Sequence, residues 1–164
     1  RIPWLFNQPS YQLENQLTLT VLADTSFTPE EQSHIITATN NVNYFCNGFA
    51  TIEVFFTLDP NNQADLNNNH ILLKEDDKSK LIIEADKTYQ TSILGLCHYY
   101  ENWTRKIFLV TNRLTTKNLF LITTTHELLH ALWLNHTERP SIMHANTIRQ
   151  ALKEPQIQPY PQKF

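Results

Sequence analysis

Glycine is nearly missing from this chain, which has only Gly48 and Gly95 among its 164 residues. The backbone therefore has few places to turn through positive φ without strain, and a motif that relies on such a turn must find another residue for it. Cysteine is equally scarce: Cys46 and Cys97 allow at most one disulfide, too little to fix a redox compartment, and two ordinary buried thiols are expected. A surplus of positive charge is lacking too. With a net charge of −3 and Lys and Arg scattered, there is no basic stripe to hold nucleic acid or anionic lipid. No apolar run approaches the roughly 20 residues that a bilayer-spanning helix needs, and internal repeats and low-complexity domains are absent. The first residues, "RIPWLFNQPS", lack an initiator Met and a signal-peptide core; the chain reads as trimmed, and secretion or export is the expectation.

What is present is an ordinary globular composition, 41% hydrophobic and 18% charged, at a length suited to one compact domain. A single domain over residues 1–164, acting as a monomer, is expected. Two N-glycosylation sequons occur, Asn102-Trp103-Thr104 and Asn135-His136-Thr137. The second encloses a candidate metal ligand, where a glycan would obstruct the site, which argues against a glycosylating pathway.

Residues 17–22, "LTLTVL", alternate as a strand does. In the next segment Thr28 can cap a helix, Pro29 fits its first position and Glu31 completes a capping box. Ile35, Ala38, Val42 and Phe45 then form one apolar stripe along it. "ATIEVFF" (50–56) is a second strand, so the chain opens β-α-β, with a right-handed crossover between two parallel strands. Residues 59–80 read as a long exposed connection with "HILL" as an apolar island. Asp76 and Asp77 there could hold calcium, but EF-hand spacing is missing and a solvated loop is the simpler reading. "KLIIEA", "SILGLCHYY" and "KIFLV" complete five strands, and a lone Gly95 inside the second of these marks a bulge or a close approach of another backbone. "TTKNLFLITTTHELLHALWL" is a second helix, capped at Thr115 or Thr116, whose Thr run leaves its stability to packing. The tail after Leu152 is too broken by proline for a long helix.

The chemistry lies in "HELLHALWLNH", residues 126–136. His126 and His130 stand one helical turn apart on one face, so both imidazoles can reach one ion. Glu127 beside them can reach a water on the open side of that ion without binding the metal. A catalytic zinc takes three protein ligands, and His136 is the nearest third candidate. On a continuous helix it would lie about 240° around the axis from His130, so it can bind only if the helix ends first. His144, Glu138 or a water compete for the place.

The string resembles the metzincin zinc signature H-E-x-x-H-x-x-G-x-x-H, matching at His126, Glu127, His130 and His136. "HAL" and "LNHT" are similar to the matrixin branch, Met143 stands where metzincins carry the Met-turn, and "ILGLCH" resembles the matrixin edge strand that pairs with bound peptide. The resemblance implies an α+β zinc-protease domain: a mixed, twisted five-stranded sheet, a crossover helix and an active-site helix. It also implies one catalytic Zn²⁺ on His126, His130 and His136, with Glu127 as general base and a protein or peptide substrate. Substrate would lie along Ile93, Leu94, Gly95 and Leu96, and His144, Ala145 and Asn146 would wall the specificity pocket. His98 falls where matrixins bind a second, structural zinc, but its surroundings lack the family's spacing, so neither that ion nor calcium is expected. No latency cysteine of the matrixin type is present in this stretch.

Trp133 stands where the family has glycine, and a Trp held at positive φ would cost on the order of 1 kcal/mol or more. Asn135, which tolerates that region better, can carry the turn. "HAN" also departs from the usual Pro and aromatic of the pocket wall. Two other readings remain: an H-E-x-x-H protease whose third ligand is an acid such as Glu138 or Glu154, and a weak or inactive metzincin-like binding protein. His136→Ala should strip most of the zinc from purified protein, measured by metal analysis; full retention would exclude His136 as a ligand.

Overall fold

The structure is a computed structural model that describes residues 17–63, 69–99 and 105–132. Strand β1 (Leu17–Asp24) leads to helix α1 (Pro29–Cys46), strand β2 (Ala50–Thr57) and a single helical turn, α2 (Pro60–Gln63). Strand β3 (Asn69–Glu75), helix α3 (Lys80–Tyr89), strands β4 (Gly95–Tyr99) and β5 (Arg105–Val110), a 3₁₀ turn (Thr111–Arg113) and helix α4 (Lys117–Ala131) follow.

The opening β-α-β unit forms as its sequence directs. Thr28 Oγ1 accepts the Glu31 N–H at 3.1 Å while Glu31 Oε1 accepts the Thr28 N–H at 2.8 Å, so two otherwise orphaned donors at the helix start are satisfied. β1 and β2 then pair in parallel from Leu17 with Ala50 to Asp24 with Thr57. Asn43 ties the end of α1 to β2: its amide accepts the Ile52 N–H and donates to the Ile52 carbonyl.

The five strands lie in the order β2-β1-β3-β5-β4, with β4 alone antiparallel to its neighbour. Alternate residues face opposite layers. Leu19, Val21, Ala23, Ile52, Leu72, Ile107 and Leu109 pack with α1 and α4, while Leu96, Phe108 and Val110 pack with Ile82 and Ala85 of α3 on the other face. Helices on both faces of a largely parallel sheet make this a mixed α/β fold where the family resemblance implied α+β, while the mixed five-stranded sheet is as expected.

Two elements differ from the sequence reading. "HILL" is no island in an exposed loop; Ile71 and Leu72 are fully buried in β3, which lies between β1 and β5. A central parallel strand is covered on both faces, so a short continuous apolar run is its natural pattern. "KLIIEA" is the first part of α3, capped where Ser79 Oγ accepts the Ile82 N–H and ended at Gln90 with φ 55°. Its β-branched residues suggested a strand, but Ile82 and Ala85 sit three apart on one buried face and Ile83 is exposed. The sheet therefore has five strands, with β3 in place of "KLIIEA". Cys46 and Cys97 are both free, Cys46 fully buried and Cys97 partly so.

His70 of β3 is buried, and its Nδ1 accepts the Arg105 N–H at 2.9 Å, joining β3 to the start of β5. Burial, and secondarily the Arg105 charge, push its pKa down to about 4. Because the folded value lies below the unfolded one of about 6.5, the contribution is complete above pH 6.5 and is lost as pH falls towards 4. Unfolding at a series of pH values should show the native protein losing on the order of 2–3 kcal/mol more than His70→Asn across that window. Parallel pH curves for the two would contradict this role.

Candidate functional site

Helix α4 carries the site. Thr116 Oγ1 accepts the Leu119 N–H at 3.1 Å to start it, matching one of the two caps expected. Nearly every residue from Leu119 to Ala131 is buried, because α4 lies between α1 and strands β4 and β5. That packing holds a helix whose Thr123, Thr124 and Thr125 are weak helix formers; Thr125 Oγ1 donates back to the Leu121 carbonyl at 2.7 Å. After Ala131 the chain leaves helical geometry, with Leu132 at ψ 15°.

On the last two turns His126, Glu127 and His130 are all buried, with one ligand atom from each within 4.8 Å of the others. The two imidazole Nε2 atoms are 3.1 Å apart and the rings nearly perpendicular, at 85°. Two nitrogens about 2.05 Å from a tetrahedral zinc keep roughly 3.3 Å between them, so the spacing suits a shared ion. A single N–H···N hydrogen bond would account for the distance as well, which makes the carboxylate the more telling group. Glu127 Oε2 has no hydrogen-bond partner among the described residues, and neither do the buried Thr123 and Thr124 hydroxyls. A buried charge without a partner costs several kcal/mol. Burial alone pushes the Glu127 pKa up to about 8. A cation held by the two imidazoles would compensate that carboxylate, and the donor set, two neutral imidazoles with an acid beside them, fits zinc.

The edge strand forms the other wall. Gly95, Cys97 and Tyr99 alternate along β4 on the side of α4, and Gly95 lies directly against the Glu127 side chain. Burial first, and then the Glu127 charge, push the Cys97 thiol up to about 12, so it is an inert thiol. Arg105 stacks on the Tyr99 ring with 4.2 Å to its centroid.

Of the other residues singled out in the sequence, Ile93 and Leu96 turn into the core beneath α3, and Leu94 packs on the opposite side. β4 is the last strand of the sheet, so its outer edge is unpaired among the described residues. His98 makes an edge-on contact with Phe108 at 5.6 Å and belongs to no metal-ligand cluster among the described residues. Asp77 lies 3.6 Å from Arg113. Trp133, Asn135, His136, Glu138, Met143, His144, Ala145, Asn146 and Glu154 lie outside the described residues.

The sequence reading missed one network. Arg113 pairs with both oxygens of Asp86, at 3.0 and 2.7 Å, and also donates to the Ile93 carbonyl at 2.8 Å. Asp86 accepts the Ile93 N–H at 2.9 Å. The three residues come from α3, the 3₁₀ turn and the approach to β4, and no spacing in a single sequence links them.

The sequence matches no protein-family model and no curated protein. Among solved structures the chain is similar to an archaemetzincin from Methanopyrus kandleri. The two are 12% identical, with 85% of this chain and 97% of that chain covered and a TM-score of 0.46. At that identity the functional reading stands on this chain's own residues.

His126→Ala or His130→Ala should weaken zinc binding more than about a hundredfold, the upper end of what loss of a group merely supporting a ligand costs. Glu127→Gln, which keeps both imidazoles and removes only the charge that the cation compensates, should weaken it by less than either histidine substitution. Calorimetric titration of the metal-free protein with zinc would test both, and equal affinity in all variants would refute the site.

Proposed function

We propose that this protein is a zinc-dependent endopeptidase of the metzincin kind, similar in its "HAL" and "LNHT" sequence to the matrixin branch. The observation that carries the reading is the buried Glu127 carboxylate, with Oε2 unpartnered among the described residues, beside two converging imidazoles.

In this reading His126 and His130, with His136 as third ligand, would hold one Zn²⁺, and Met143 would form the turn beneath. Bound zinc would supply a Lewis acid and lower the pKa of its bound water to about 7. Glu127 removes a proton from the attacking water and delivers it to the leaving amine. Its buried setting suits both proton transfers, since desolvation makes the carboxylate a stronger base than an exposed one and a neighbouring cation keeps it ionised near neutral pH. The unpaired edge of β4 suits an extended peptide, which would add as a further strand through backbone hydrogen bonds along Ile93 to Leu96. His144, Ala145 and Asn146 would line the pocket for the residue after the cleaved bond.

Incubation with a mixed peptide library should yield internal cleavages that a chelator abolishes and zinc restores. Glu127→Gln should lower kcat/KM by roughly 10²–10⁴-fold, the usual cost of removing a general base. Cleavage indifferent to chelator and to the substitution would rule the mechanism out. Zinc binding without any cleavage would favour a binding protein on the same scaffold.

A further inference from the structure

Gly95 is a glycine for a reason that its own backbone does not supply. Of the two glycines only Gly48 has positive φ, at 85°. Gly95 pairs with Leu109 in the regular ladder between β4 and β5, where a side chain would ordinarily serve better than none. The answer lies across the crease, on α4. An ideal Cβ on Gly95 would come to 3.0 Å from Cγ, 3.0 Å from Oε1 and 3.1 Å from Cδ of Glu127. These are well inside the 3.5–4.0 Å or so at which carbon atoms pack best.

Neither backbone is free to withdraw. The residue two before Gly95, Ile93, has its N–H bound to Asp86 and its carbonyl bound to Arg113, and those two side chains clasp each other. The Leu94 carbonyl accepts the Val110 N–H at 3.0 Å, which fixes the strand from its inner side. On the opposite wall α4 is packed nearly all round. What can yield is the Glu127 side chain.

We propose that Gly95 is a positioning residue for Glu127: its missing Cβ is the slot in which the carboxylate lies, and the Asp86–Arg113 pair keeps that slot in place by holding Ile93. The contact stands on the geometry, while its catalytic consequence rests on the endopeptidase reading. A methyl group at Gly95 displaces the Glu127 carboxylate by a few tenths of an ångström. Misplacement of a reacting group by about 1 Å can cost about 10²-fold; the smaller shift should cost about three- to tenfold.

Two measurements on Gly95→Ala test this. In the zinc-loaded protein kcat should fall about three- to tenfold, with KM and zinc content unchanged. A rise in KM with kcat intact would instead place the added methyl against the substrate and overturn the proposal. In thermal unfolding, Gly95→Ala should lower the melting temperature of the native protein but leave it unchanged, or raise it, in a Glu127→Ala background, where the collision is gone and only the stiffening of the unfolded chain remains. An equal loss in both backgrounds would overturn the proposal even if kcat fell. Should the native protein cleave no peptide, the endopeptidase reading fails by itself. The unfolding comparison then decides the slot: it stands if the loss disappears with Glu127→Ala and falls if the loss persists.

Discussion

A carboxylate buried between a helix and an edge strand is the constraint on which the rest of the structure turns. Left alone in a low-dielectric crease, Glu127 would be among the most costly groups in the protein, since an unpaired buried charge is worth several kcal/mol against folding. Its burial is possible because β4 approaches α4 closely, and the close approach in turn needs a residue without a side chain at Gly95. The cost is reduced while the carboxylate is protonated, which is the meaning of a pKa that burial raises to about 8, or offset when a cation sits on the neighbouring imidazoles of His126 and His130. The fold thus creates a local electrostatic deficit at the place where two imidazoles converge.

The order of the strands explains how that crease is held. β3 and β5 lie inside the sheet, where β5 pairs with β3 on one side and β4 on the other. The Lys74–Glu31 ion pair, 2.8 Å long, ties β3 to the cap of α1, and the Arg105 N–H ties β5 to His70 of β3. α1 packs against α4, with His34 set at an angle to Phe120, 5.5 Å between ring centroids. From the other face, Asp86 and Arg113 fix the approach to β4; the guanidinium holds the Asp86 carboxyl below its ordinary pKa, so that pair stays charged through neutral pH. Helix, inner strands and edge strand are each anchored by a separate set of contacts, and the site lies where they meet.

Features of short range were legible in the sequence. The capping box at Thr28 and Glu31, the cap at Thr116, the parallel pairing of β1 with β2, and the joint placement of His126, Glu127 and His130 all follow from residues within one helical turn or one crossover of each other. What escaped was set by tertiary context. The strand nature of "HILL" depends on being covered on both faces, which no local pattern announces, and the helix beginning at Lys80 depends on Ser79 as a cap outweighing the β-branched character of Ile82 and Ile83. Gly95 was legible as a site of close approach, but what approaches is the Glu127 side chain, not a second backbone. Asp86 and Arg113 are 27 residues apart, and their joint grip on Ile93 exists only once α3 has folded onto its face of the sheet.

The weakness of α4 as an isolated helix bears on the candidate metal site itself. Thr123, Thr124 and Thr125 precede His126, and β-branched residues lower helix propensity by a few tenths of a kcal/mol each. The helix therefore holds its shape through Leu119, Phe120, Leu128 and Leu129, which pack into the same core as Ile35, Ala38 and Val42 of α1. The spacing of His126 and His130 is in consequence a property of that core, and not of local sequence alone. Loosening the core would spread the two imidazoles and release Glu127 from its slot together, so the spacing of the imidazoles and the placement of the carboxylate depend on the same packing that stabilises the fold.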